Sequence, residues 1–199
     1  MTKRKQSGKF QAGRLRIVAG NWRSRLLDIV DVEGLRPTSE RIRETLFNWL
    51  TPGIHGARCL DLYAGTGALG LEALSRGAAN AVFVEKSSAA VRQLKKNVEL
   101  LEAGGATILN QDALDYLRSK PAETFDLVFL DPPFAADLLE ETCRLLAKQQ
   151  LLADGALVYL EQDRSRAEPD LPAGWQVQKN KTAGNVRYML VQVEKDGKR

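Results

Sequence analysis

The sequence predicts an α/β fold: a parallel sheet covered by helices on both faces, preceded by a short basic extension. Three observations carry this. From residue 57 onward, strand-like and helix-like runs alternate, the pattern of a doubly wound sheet. The first of these strands runs into a glycine turn, DLYAGTGALG (61–70), which opens a helix. Two further strand-like runs close the chain, and their connection through Thr182, Ala183 and Gly184 is too short for a crossover, so they pair antiparallel.

Taken in order, residues 1–14 are polar and basic. RIVAG (16–20) and RLLDIV (25–30) flank Asn21 and Trp22 and predict a hairpin. GLRPTSERIRETLFNWL then reads as an amphipathic helix. Pro37 fixes its start, Thr38 or Ser39 can cap it, and Glu40 suits its positive end. Ile42, Leu46, Trp49 and Leu50 recur at helical spacing with Phe47 beside them, giving one buried face. Thr51, Pro52 and Gly53 end it. The expected organisation is an arm, hairpin and helix over 1–52, a main domain over 53–193 and a polar tail over 194–199. In the main domain the strands are predicted at 57–62, 80–85, 106–110, 125–130 and 156–161. Helices fall at about 67–76, 88–101, 112–119 and 137–149. With WQVQK and NVRYMLVQV the sheet reaches seven strands.

Composition narrows the function. The chain has 199 residues, 44% hydrophobic and 27% charged, as in a globular protein with a substantial core. No apolar run approaches the ~20 residues of a membrane span, and the N-terminus lacks the apolar segment of a secretory signal, so a cytoplasmic location is expected. Cys59 and Cys143 lie in a strand and a helix, where buried free thiols are expected. His55 is the single histidine, which argues against a zinc site or a Ser-His-Asp triad, and no metal is expected. The net charge of +4 is uneven. Residues 1–50 hold 11 Lys/Arg and 5 Asp/Glu; the remainder holds 18 and 20. A basic arm of this kind suits a polyanion.

Ligands of doubly wound sheets bind outside the carboxyl ends of the strands, so each strand end is a candidate site. Asp61 and the glycine turn follow the first strand. Gly65, Gly67 and Gly70 match G-x-G-x-x-G, although 16 glycines in the chain make such a triple expected by chance in about one chain in ten. Glu85 ends the second strand, twenty residues after Gly65, where an acid can accept from both ribose hydroxyls. Asp112 follows the third; it can accept from an adenine amino group, cap the next helix, or do both.

Asp131-Pro132-Pro133-Phe134 follows the fourth strand and is the sharpest signal, expected by chance in only about one chain in 700. One reading is a rigid turn with a core aromatic. The other is chemical. The exocyclic amine of a purine is a weak nucleophile because its lone pair is delocalised into the ring. The Asp131 carboxylate and Pro132 carbonyl can hold its two N–H groups and localise that lone pair, while Phe134 offers a stacking face. Positioning of this kind can supply about 7–11 kcal/mol without a strong base.

In this order and spacing, DLYAGTGALGLEALSRGA, FVEKS, QDAL and DPPF resemble the motifs of class I S-adenosylmethionine-dependent methyltransferases. GLRPTSERIRETLFNWL and TAGNVRYMLV narrow the resemblance to the RsmD family, which methylates N2 of a guanine in 16S ribosomal RNA. The resemblance spans roughly Gly13 to Val193. It implies a Rossmann-like sheet of order 3-2-1-4-5-7-6 with an antiparallel last strand. It implies S-adenosylmethionine as cofactor, with Asp61, Gly65 and Gly67 at its methionine part, Glu85 at the ribose and Asp112 at the adenine. Asp131, Pro132 and Phe134 would handle the target guanine. The helix from Thr38 to Leu50 would fold over the cofactor pocket, with Arg36 and Arg41 near it. The implied partner is 16S rRNA in an assembled or nearly assembled small ribosomal subunit, met by a monomer. The alternative is an amino-methyltransferase of the same DPPF type acting on another nucleic acid, and two further readings are weaker. A nicotinamide-dependent oxidoreductase leaves DPPF without a role and lacks a substrate domain. A non-enzymatic RNA-binding assembly factor leaves the acids at the strand ends without purpose.

Overall fold

The computed structural model describes residues 13–30, 38–119, 121–133 and 137–194. The chain begins with an antiparallel hairpin, β1 (Arg14–Arg16) and β2 (Leu26–Asp28), followed by helix α1 (Glu40–Leu50). The main sheet contains β3 (Arg58–Asp61), β4 (Asn80–Glu85), β5 (Ala106–Asn110), β6 (Phe125–Leu130), β7 (Leu152–Asp163), β8 (Trp175–Ala183) and β9 (Val186–Val193). Helices α2 (Ala68–Ser75), α3 (Ser88–Leu101), α4 (Ala113–Arg118) and α5 (Leu139–Lys148) connect the parallel strands. The sheet order is β5-β4-β3-β6-β7-β9-β8, the expected 3-2-1-4-5-7-6 counted from β3. β9 runs antiparallel to both of its neighbours.

Residues alternate between two apolar layers, as the strand period demands. On one face, Leu127 and Phe129 pack with the hairpin and with α1, α2 and α3. On the other, Val128 and Leu130 pack with α4 and α5. Leu15, Ile17 and Leu27 of the hairpin are buried in the first layer, so the extension shares the core of the main domain. Cys59 and Cys143 are buried free thiols, and burial pushes both up to about 12.

Three element boundaries differ from expectation. The first hairpin strand stops at Arg16 because the next backbone groups turn elsewhere. Val18 and Ala19 donate their N–H groups to the two Glu72 oxygens at 2.8 and 3.0 Å, and so leave the ladder. β7 starts at Leu152, four residues early, through a register shift opposite Phe125 and Leu127 that accommodates Gly155 at φ 72°. β8 continues through Lys179 to Ala183, and nearly all of it is exposed. An edge strand with polar residues on both faces shows no alternation to read.

Helix α1 is capped by Ser39, whose Oγ accepts from the Ile42 N–H. Its buried face carries Ile42, Leu46, Phe47 and Leu50, with Phe47 packed against Phe129 of β6 at 6.0 Å. Trp49 stacks on Tyr188 of β9 at 5.5 Å. The same face buries Arg43, which the hydrophobic pattern did not anticipate. Its guanidinium reaches Glu72 at 3.5 Å and the Arg16 carbonyl at 2.9 Å.

Candidate active site

Five acids stand along the carboxyl edge of five adjacent parallel strands. The register shows it. Asp61 pairs with Phe83 on one side and Phe129 on the other, so Glu85 and Asp131 each lie two residues further along the flanking strands. Glu85 pairs with Asn110, which puts Asp112 two residues beyond. Leu130 pairs with Leu160, so Asp131 is followed across the sheet by Glu161. Asp112, Glu85, Asp61, Asp131 and Glu161 thus follow the order of the strands themselves.

The glycine turn is held by two of them. Asp61 Oδ2 accepts from the Gly70 N–H at 3.0 Å, and Glu85 Oε2 accepts from the Gly65 N–H at 2.9 Å. Glu85 Oε1 takes the Ser87 N–H at 2.6 Å. A carboxylate anchored through both oxygens is fixed in position yet keeps lone pairs for hydroxyl donors. Gly67 begins α2 at φ 91°, and a Cβ there would lie 2.4 Å from Leu94 Cδ1. Gly70 serves packing: its missing Cβ makes room for the Phe83 ring, whose Cε1 would lie 2.2 Å away. Asp112 caps α4, its Oδ1 accepting from the Leu114 and Asp115 N–H groups, which leaves Oδ2 outside the cap.

On the other side of Asp61, Asp131 Oδ2 accepts from the Thr38 hydroxyl at 3.2 Å. Pro132 is buried and Pro133 partly so; Phe134, expected as the stacking face, lies outside the described residues. Arg36 also lies outside them, while Arg41 is an exposed residue of α1. What the structure shows of α1 is its packing on β6 and β9, with Thr38 just before it touching Asp131. A cavity of about 270 Å³ opens beside the Pro132-Pro133 turn, with Glu161 and Gln162 also in its wall.

Burial dominates the electrostatics. It pushes Asp61 up to about 7; the Gly70 N–H opposes this and the charge of Glu85 adds to it. Asp131 is lifted well above the ordinary carboxylate range, first by burial and next by Glu161, against the Thr38 hydrogen bond. Glu161 rises too through burial, opposed by the Tyr159 hydroxyl and then by Thr38. Closely spaced buried acids shift in this way when like charges share a site. Among the described residues no group of acids, His and Cys suits a metal ion.

Tyr159 and Glu161 are not candidates in the sequence reading, and Thr38 enters it only as a possible helix cap. Glu161 carried a usable signal, since it directly follows the apolar run ALVYL at a strand's carboxyl end, as Glu85 follows AVFV. Thr38 had none: it meets Asp131 only through the fold.

A seven-stranded sheet with one antiparallel strand, a glycine turn after its first parallel strand and acids on the neighbouring strand ends define a Rossmann-like methyltransferase. Residues 15–192 match the family described as Conserved hypothetical protein 95, and the chain belongs to this family, the RsmD methyltransferases. Over 186 residues it is 49% identical to the Ribosomal RNA small subunit methyltransferase D of Escherichia coli K12, covering 94% of this chain and 93% of that protein. The solved structure of yhhF from Escherichia coli superposes with a TM-score of 0.84 at 46% identity, over 92% of this chain and 99% of the other. An RNA methyltransferase from Salinibacter ruber, solved with S-adenosyl-L-homocysteine, shares the fold at 16% identity and a TM-score of 0.62, over 81% and 95% of the two chains.

Proposed function

We propose that this chain transfers the methyl group of S-adenosylmethionine to the exocyclic N2 amine of a guanine in 16S rRNA of the small ribosomal subunit. The observation that carries the reading is the pairing of β3 with β6. It sets Asp131-Pro132, two acceptors for an amine, directly beside the glycine turn.

The cofactor fits the donor set on the other side. Asp61, a buried carboxyl lifted to about 7, is suited to the ammonium of the methionine part. The main chain at Gly65 and Gly67 flanks the same part. Glu85, anchored by Gly65 and Ser87, takes the ribose hydroxyls. Asp112 takes the adenine amino group through Oδ2 while Oδ1 caps α4. When bound, the group supplies an electrophilic methyl on a positively charged sulfur. The Asp131 carboxylate and the Pro132 carbonyl accept the two N2–H groups, and Phe134 supplies the stacking face. The N2 lone pair forms the new N–C bond as the C–S bond breaks towards sulfur, and one N2 proton then leaves to the Asp131 carboxylate or to water. The rate gain comes from alignment of donor and acceptor.

The chain acts as a monomer in the cytoplasm on assembled or nearly assembled subunits, its basic arm (1–14) contributing contacts to phosphates. No helix of the described residues is long and apolar enough to cross a membrane. The test is a map of modified nucleotides in small-subunit RNA from cells with and without this protein. One N2-methylguanine should vanish on deletion and return with the wild-type chain. An unchanged map would reject the reading.

A further inference from the structure

Glu161 and the cavity beside it are not used by the transfer as described, and together they bear on which base enters. Leu160 pairs with Leu130, so Glu161 and Asp131 follow on neighbouring strands, about 4.8 Å apart at the main chain. Each is held by a hydroxyl: Tyr159 donates to Glu161 Oε1 at 2.6 Å and Thr38 to Asp131 Oδ2 at 3.2 Å. Glu161 is only 3% exposed, yet it forms part of the cavity wall next to Pro132, Pro133 and Gln162. Among the described residues neither acid belongs to an ion pair.

Asp131 is half-buried and Glu161 buried, and two neighbouring acids are costly to take out of water together. Their natural ligand is an edge with adjacent N–H donors. Of the bases that carry an exocyclic amine, adenine places its amine beside the bare N1 acceptor, and cytosine beside the bare N3 acceptor. Guanine alone places N1–H next to the N2 amine. A carboxylate beside the amine-holding group would thus attract guanine and repel the other two. We infer that Glu161 is the specificity-determining residue of this site, its carboxylate accepting the guanine N1–H while Asp131 and Pro132 hold the N2 amine. The inference rests on the guanine-N2 reading. Burial raises both acids, and the charge of Glu161 raises Asp131 further, the state that a donor-rich edge relieves.

The probe is 2-aminopurine, which keeps the N2 amine but has a bare acceptor at N1. Small-subunit particles are reconstituted with guanine or 2-aminopurine at the mapped target position, and methyl transfer by the full chain is measured. A site built to bond one edge rejects the analogue lacking that donor strongly, so wild type should prefer guanine by at least ~10²-fold in kcat/KM. Glu161→Gln, whose amide can accept from guanine or donate to 2-aminopurine, should cut that preference to within about 10-fold. Tyr159→Phe, which keeps the carboxylate, should retain it. Binding of S-adenosylhomocysteine should be unchanged in both variants. Comparable rates on the two bases with wild type would overturn the inference, and this comparison needs no variant to fold. Full preference in Glu161→Gln would overturn it too, as would loss of preference in Tyr159→Phe, since looseness of β7 would then be the cause. Absence of N2 methylation on the guanine particle itself would instead reject the underlying function.

Discussion

Thr38 donates its hydroxyl to the Asp131 carboxylate, joining residues 93 positions apart in sequence. The N-terminal extension thereby touches the loop proposed to hold the target amine. Hydrogen bonds to charged groups contribute about 1.5–3 kcal/mol. Thr38→Val keeps the shape and removes the donor, so it should lower the single-turnover methylation rate about 10-fold with cofactor affinity within about 2-fold. A normal rate would mean that the Pro132-Pro133 turn aims Asp131 unaided.

The extension is held in place by Glu72 of α2. This wholly buried carboxylate accepts from the Val18 and Ala19 N–H groups and pairs with Arg43 at 3.5 Å and Arg76 at 2.8 Å. Removing one partner from a buried charged cluster leaves the others uncompensated and costs about 3–5 kcal/mol. Glu72→Ala should lose stability on that scale in urea unfolding. A loss below ~1 kcal/mol would show that solvent takes over the role of Glu72.

Legibility in the sequence followed periodicity. The strands at 80–85, 106–110 and 125–130 and the helix at 88–101 stand where the apolar runs predict them: 80–85 and 125–130 are buried almost throughout, 106–110 is half-buried, and the helix buries one face. The places of Asp61, Glu85 and Asp131 at the carboxyl ends of their strands were legible, since each follows an apolar run. The Glu72 hub was not legible. Inside the helical run ALGLEALS a glutamate reads as a solvated face, and only the tertiary fold brings Arg43 and the Val18 backbone to it. Thr38 and Ser39 were interchangeable as caps until the fold gave one to the helix and the other to Asp131.

Asp131 carries the sharpest chemical prediction. Asp131→Ala removes one of the two acceptors proposed for the amine, and loss of a single preorganised partner to a transition state costs about 10²–10³ in kcat. Turnover on small subunits should fall at least ~10²-fold while S-adenosylhomocysteine still binds. Near-normal turnover would remove Asp131 from the mechanism.

Asp61 links the site to pH. Its carboxyl titrates near 7 in the fold against the ordinary 3.8. Between about pH 4 and 7 the folded protein therefore keeps a proton that the unfolded chain has lost, and stability falls as pH rises through that window. Asp131 and Glu161 are shifted in the same direction. Unfolding of the free protein should show greater stability at pH 5 than at pH 8, with a shallower decline in Asp61→Asn. Cofactor binding should run the other way. An ammonium beside Asp61 needs the ionised carboxylate, so S-adenosylhomocysteine should bind more tightly as pH rises through about 7. Below that pH, binding should release a proton, detectable by calorimetry in buffers of different ionisation enthalpy. In Asp61→Asn the released proton should disappear. Proton release of the same size in the variant would place the titrating group elsewhere.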